Sequence, residues 1–201
     1  MRRFVPSLPA LLFALGLVAC GGSPKDDYAE ALLGARAAKD VMLRTSSDSP
    51  VPPDKRQVEL PLSYFPPDLA YRVPASLTPD PRGQVVRMLT SNGQLRPTRV
   101  MGTLEFALEG RPMKLQAFAE EGSNGERLFV PFTDATTGRE TYGAGRYLDL
   151  DRTPTGIYVI DFNTAYNPYC AYNPAYDCPV PPKENRLPIP IRAGEKAPRG
   201  H

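Results

Sequence analysis

The chain has 201 residues, with 24 Lys and Arg against 22 Asp and Glu, one histidine, three cysteines, 24 prolines and 16 glycines. Balanced charge gives little long-range attraction for nucleic acid or acidic polymers, so neither is expected as a partner. The one histidine is His201, the last residue, where chains fray. Ser-His-Asp and Cys-His catalysis and multi-histidine metal sites therefore lack their imidazole. No glycine-rich loop follows a strand and opens a helix, so nucleotide chemistry is unsupported. No cofactor and no metal is expected.

The N-terminus reads as an address. Arg2 and Arg3 precede an apolar run from Phe4 to Val18 that carries no acid, the layout of a signal peptide. The run is too short to cross a bilayer and is interrupted by Pro6 and Pro9, which weighs against a transmembrane anchor. Its ending, Leu17-Val18-Ala19-Cys20, resembles the lipobox of bacterial lipoproteins. That resemblance implies cleavage after residue 19 and acylation of Cys20, with the bilayer as a partner through the acyl chains. Gly21 rather than Asp after the cysteine implies an outer-membrane position facing the periplasm if the source has two membranes. The expected division is a leader over 1–19, a lipidated tether over 20–24, a helix and connector over 25–56, a β domain over 57–196 and a disordered tail over 197–201.

Ser23-Pro24 followed by Asp26 and Asp27 is a helix start signal. Apolar residues at Tyr28, Leu32, Ala35 and Val41 to Leu43 predict an amphipathic helix over about 25–43. Beyond Pro53 the period becomes two: Leu69, Tyr71, Val73; Val85, Arg87, Leu89; Leu104, Phe106, Leu108; Met113, Leu115, Ala117; Ile157, Val159, Asp161. Asn92-Gly93 is a hairpin signal, and Gly110-Arg-Pro112, Ser123-Asn-Gly125 and Thr136-Thr-Gly138 mark further reversals. Short strands joined by tight turns predict a mainly β fold, one antiparallel meander closed as a barrel or folded as a sandwich. Leu187, Ile189 and Ile191 alternate with prolines, which would place a strand there at a sheet edge.

The segment from Asp161 to Arg186 concentrates tyrosines, asparagines and prolines, and holds Cys170 and Cys178. In an oxidising compartment a disulfide between them is the expected state. A metal site is the rival, with a weak ligand set, and a reactive thiol is the third possibility. The tyrosines suit a sugar, a peptide or a partner surface, or serve to pin the loop to the sheet. Asp161 falls in phase with Ile157 and Val159, so it is expected to face inward and to need a partner. Arg146, among glycines, is the expected counter-ion, as a structural pair or a catalytic one.

The residues Leu128-Phe-Val-Pro-Phe-Thr-Asp-Ala-Thr-Thr-Gly138, Thr141-Tyr-Gly-Ala-Gly-Arg-Tyr147, Asp161-Phe-Asn-Thr-Ala-Tyr-Asn-Pro168 and Pro181-Pro-Lys-Glu-Asn-Arg-Leu-Pro188 together resemble the family catalogued as domain of unknown function 1684. The resemblance implies no particular activity. Because members occur without a lipobox, it implies that the cysteine pair need not be oxidised, and it favours a shared pocket. Arg146, Asp161, Asn163, Tyr166, Asn167, Glu184 and Asn185 are the candidate pocket residues.

The leading expectation is a lipid-anchored envelope protein that binds a small molecule, glycan or peptide under the 161–186 loop. The alternative is a hydrolase-like enzyme using Asp161 and Glu184 as acid and base, with Arg146 or a tyrosine stabilising charge. A third reading is a structural or partner-docking module.

Overall fold

The computed structural model describes Met1 and residues 24–200, apart from Glu121 and Asn124. The leader and Cys20 lie outside the described residues.

The helix α1 spans Pro24–Thr45, with Asp26 and Asp27 in its first turn and Arg44 in its last, each sign at the favourable end of the helix dipole. Its inward stripe is Tyr28, Leu32, Arg36, Lys39 and Leu43, whereas Ala35 and Val41 are exposed. Docking therefore relies on polar anchors as much as on apolar ones. Buried Arg36 donates to the carbonyls of Phe65 at 2.8 Å and Asn163 at 3.1 Å, and its guanidinium stacks 4.4 Å from the Tyr64 ring centroid. A short helix, α2 at Arg56–Glu59, follows the connector.

Seven strands follow: β1 Arg72–Pro79, β2 Val85–Leu89, β3 Leu95–Leu108, β4 Arg111–Glu120, β5 Arg127–Phe132, β6 Arg146–Asp151 and β7 Ile157–Asp161. They form one antiparallel sheet in the order β6-β5-β4-β3-β1-β7, with β2 paired to the first part of β3. The sheet is nearly closed into a barrel, since β6 and β7 approach each other without a ladder between them. The turns fall where the glycines predict. Glu109 and Gly110 both take positive φ, 52° and 71°, the backbone of a two-residue hairpin loop. At Gly102 the register of β3 shifts against β4, and a Cβ there would strike the Thr78 carbonyl, so the bulge that lets β3 serve both β2 and β1 requires glycine.

The inner face carries the core: Leu104, Phe106, Leu115, Leu128, Val130, Phe132, Leu148, Ile160 and Phe162. A second cluster of Leu43, Val51, Leu60, Leu62, Ala171 and Tyr172 joins the end of α1 to the 161–186 loop.

Three expectations are corrected here. Leu187, Ile189 and Ile191 are buried in the core but form no strand. Their segment is held instead by single bonds, including Leu187 N–H to Thr133 O at 2.8 Å and Ile191 N–H to Asp134 Oδ1 at 3.1 Å. In β7 the phase is inverted: Tyr158 and Ile160 are buried, while Ile157 and Val159 are 57% and 46% exposed. The tail is ordered through residue 200, because the amides of Arg199 and Gly200 donate to the Glu59 carboxylate at 3.0 and 3.1 Å.

Candidate functional site

The register of β3 to β6 sets a row of side chains on the outer face of the sheet. Thr98 stands opposite Glu120, Phe129 opposite Asp149, and Pro131 opposite Tyr147. Over this row the 161–186 loop and one side of α1 form a roof, and between roof and sheet lies a cavity of about 660 Å³. Its walls are Lys39, Met42 and Leu43 from α1, Arg96, Thr98, Glu120, Phe129, Tyr147 and Asp149 from the sheet, and Tyr166, Pro168, Tyr169, Cys178 and Pro179 from the loop. The 161–186 loop contributes Tyr166, Pro168, Tyr169, Cys178 and Pro179 to the lining, and the floor is the outer face of the sheet.

Aromatic rings fix the floor to the roof. Phe129 and Tyr147 meet edge to face with centroids 4.7 Å apart, and Tyr147 meets Tyr166 edge to face at 5.7 Å. The same two tyrosines exchange backbone bonds, Tyr147 N–H to Tyr166 O at 2.9 Å and Tyr166 N–H to Tyr147 O at 3.0 Å. The Tyr147 hydroxyl donates to the Pro179 carbonyl, and the Tyr166 hydroxyl donates to Asp149 Oδ2 at 2.9 Å. Burial drives the pKa of both phenols upward, so they remain hydrogen donors at physiological pH.

Two cations line the cavity, and each already has a carboxylate. Lys39 Nζ lies 2.5 Å from Glu195 Oε1 and 5.2 Å from the Tyr166 ring centroid. Glu195 is itself buried and also accepts from the Asn167 amide at 2.8 Å and the Tyr172 hydroxyl at 3.0 Å. Arg96 Nη2 donates to the Asp177 carbonyl at 2.8 Å and lies 3.8 Å from its carboxylate.

Of the sequence-predicted pocket residues, only Tyr166 lines this cavity. Arg146 points to the opposite, inner face and pairs with Asp134 at 2.9 Å, not with Asp161. Its guanidinium also donates to the carbonyls of Ile191 at 2.8 Å, Glu195 at 3.2 Å and Ala193. The expected Arg146–Asp161 pair fails because alternation between two apolar faces carries no phase: Asp161 sits on the outward side of β7. Asp161 accepts from the Tyr28 hydroxyl at 3.0 and 2.8 Å and from the Asn163 amide and side chain at 3.0 Å, with Arg72 at 3.6 Å.

Asn163 holds Asp68 through its amide N–H and carbonyl, at 3.0 and 2.7 Å. Asn167 bonds the Lys196 carbonyl at 2.8 Å and contacts the Tyr172 hydroxyl at 3.3 Å. Asn185 is fully buried and ties β4 to β5, accepting from Gln116 N–H at 2.7 Å and donating to the carbonyls of Gln116 at 2.9 Å and Pro131 at 2.7 Å. These asparagines are structural staples. Glu184 is half exposed beside Lys183 at 3.9 Å and lines neither the cavity nor the 300 Å³ recess that Asp161 lines with Asp149 and Asp151. The acid and base proposed from sequence do not converge.

The expected disulfide is also absent: Cys170 and Cys178 are free thiols. They stand close, with Cys170 N–H donating to Cys178 Sγ at 3.2 Å. Hydrogen bonds to the Cys170 sulfur from Cys178 above all, then Ser91 and Tyr142, pull its pKa down to about 6. The hydrogen bond to Cys170 first, and burial second, raise the pKa of Cys178, so that thiol stays protonated. Among the described residues no group of His, Cys, Asp and Glu could hold a metal ion.

A family model described as protein of unknown function (DUF1684) matches residues 60–196. Among solved structures, the chain is similar to the uncharacterized protein from gene locus rrnAC0354 of Haloarcula marismortui, solved by solution NMR. The two are 37% identical with a TM-score of 0.68, over 85% of this chain and 95% of the other. Curated proteins yield no match.

Proposed function

The chain belongs to the DUF1684 family, and on that footing we propose that it is a lipid-anchored binding protein of the cell envelope, with its ligand in the cavity under the 161–186 loop. The observation that carries this reading is the cavity: about 660 Å³, walled by four aromatic rings and a few polar groups. That size and mix suit a single small molecule, a sugar unit or a short peptide segment. Phe129, Tyr147 and Tyr166 are cross-braced before any ligand arrives, and a pre-formed wall lowers the ordering cost of binding. Anchoring rests on Leu17-Val18-Ala19-Cys20: several acyl chains on Cys20, each methylene contributing about 0.8 kcal/mol, would hold the protein at a bilayer without further elements.

Two experiments test these halves. Phenol, benzyl alcohol and methyl glucoside titrated into the intact protein are expected to shift the amide resonances of Thr98, Phe129, Tyr147 and Tyr166 saturably, and Thr98→Phe, which fills the floor, is expected to abolish the shifts. No saturable shift with any probe, or shifts unchanged by Thr98→Phe in folded protein, overturns the cavity reading. Mass spectrometry of membrane-extracted protein is expected to find an N-terminus at residue 20 carrying acyl mass, and an unmodified N-terminus overturns the anchor.

A further inference from the structure

Resting on that reading, the charge around the cavity narrows the ligand. Lys39 and Arg96 are the cations of the lining, and their charge is already met by Glu195 and Asp177. Glu120 and Asp149 remain. Among the described residues neither has a basic partner within 4 Å. Asp149 accepts one hydroxyl, that of Tyr166, and can accept more.

Both carboxylates sit at the mouth and are exposed. They also line an adjoining recess of about 460 Å³ with Glu126, Asp151 and Arg127, and there Arg127 is held by Asp151 at 3.3 Å. Every cation that lines the cavity or the recess thus has its own counter-ion, and an excess of negative charge is left at the mouth.

Behind that mouth the wall consists of the faces and edges of Phe129, Tyr147, Tyr166 and Tyr169. Aromatic faces attract cations through the ring quadrupole. One of these rings already does so, because Lys39 Nζ lies 5.2 Å from the Tyr166 centroid. An anionic ligand would meet two carboxylates with no free cation to offset them. A neutral one would leave the mouth charge unused.

We infer that the cavity takes an organic cation, an ammonium or guanidinium group on an apolar body. The charged head lies between Glu120 and Asp149 against the Phe129 and Tyr166 rings, and the body lies over Tyr147, Met42 and Leu43. Because the carboxylates are exposed, binding weakens with added salt.

Three probes of one shape test this by NMR titration of the intact protein: benzyltrimethylammonium, benzyl alcohol and benzenesulfonate. Benzyltrimethylammonium is expected to bind on the order of tenfold more tightly than the alcohol, with benzenesulfonate weakest. Glu120→Gln with Asp149→Asn is expected to erase that preference while benzyl alcohol still binds, and Phe129→Leu to weaken the ammonium more than the alcohol. Glu105→Gln, a carboxylate paired with Lys114 away from the cavity, is the control and leaves all three unchanged. Equal or tighter binding of benzenesulfonate, or an ammonium preference that survives the double variant, overturns the inference while the cavity reading stands. If none of the three shifts the cavity resonances, both readings fall together.

Discussion

Arg146 and Asp134 form an ion pair at 2.9 Å in which each side chain is 1% exposed. The terminal nitrogens Nη1 and Nη2 of Arg146 also donate to the carbonyls of Ile191, Ala193 and Glu195, so one guanidinium pins the strandless C-terminal segment to the barrel. Arg146→Ala leaves Asp134 buried without a cation and three carbonyls short of donors. The expected loss is about 3–5 kcal/mol, read from urea denaturation, and Arg146→Lys recovers only part of it because an ammonium lacks the planar fork.

Asn185 performs the same task at the opposite end of the segment, between β4 and β5. Asn185→Ala is expected to cost about 1–3 kcal/mol, since a backbone N–H and two carbonyls lose their buried partner. The check is a shift in urea midpoint at unchanged slope. Glu184→Gln, one residue away and half exposed, is expected to change the midpoint little.

Tyr28 donates to both oxygens of Asp161 and so holds the first turns of α1 against the end of β7. Tyr28→Phe keeps the ring and removes the bond. The expected cost is about 1 kcal/mol, given partial solvent exposure, with faster amide exchange confined to the first half of α1.

Cys170 is predicted to be the reactive thiol. It ionises near pH 6 in the folded chain against a usual value near 9. Between these values the unfolded chain binds more protons, so stability from this group rises with pH from about 6 to 9 and is lost as pH falls through about 6. Alkylation by iodoacetamide followed by mass spectrometry should show a midpoint near pH 6 at Cys170 and little labelling of Cys178. Cys178→Ala removes the leading hydrogen bond and is expected to move the midpoint upward.

The turns and most strands were legible because each depends on near neighbours: Asn92-Gly93, Gly110, and alternation such as Leu104, Phe106, Leu108 on a face that is buried on one side only. β7 was legible as a strand but not in phase, since Ile157 and Val159 are as apolar as Tyr158 and Ile160 and composition does not tell the faces apart. Asp161 shares the phase of Ile157 and Val159, so the inward reading and the Arg146 pairing fail together. Asp134, the true partner, sits in a turn where an acid is ordinary. Tyr166 was found through the clustering of tyrosines, a local signal. Lys39, Arg96, Glu120, Phe129 and Asp149 were missed because they meet only through the register of four strands and the docking of a helix, and no local pattern links them.

The roof of the cavity has two origins. The sheet and the loop lie within residues 60–196, the part matched by the family model, whereas Lys39, Met42 and Leu43 come from a helix that ends at Thr45. On the proposed binding reading, substitutions at Lys39, Met42 and Leu43 would change what the cavity accepts from outside the matched residues, while every strand keeps its place.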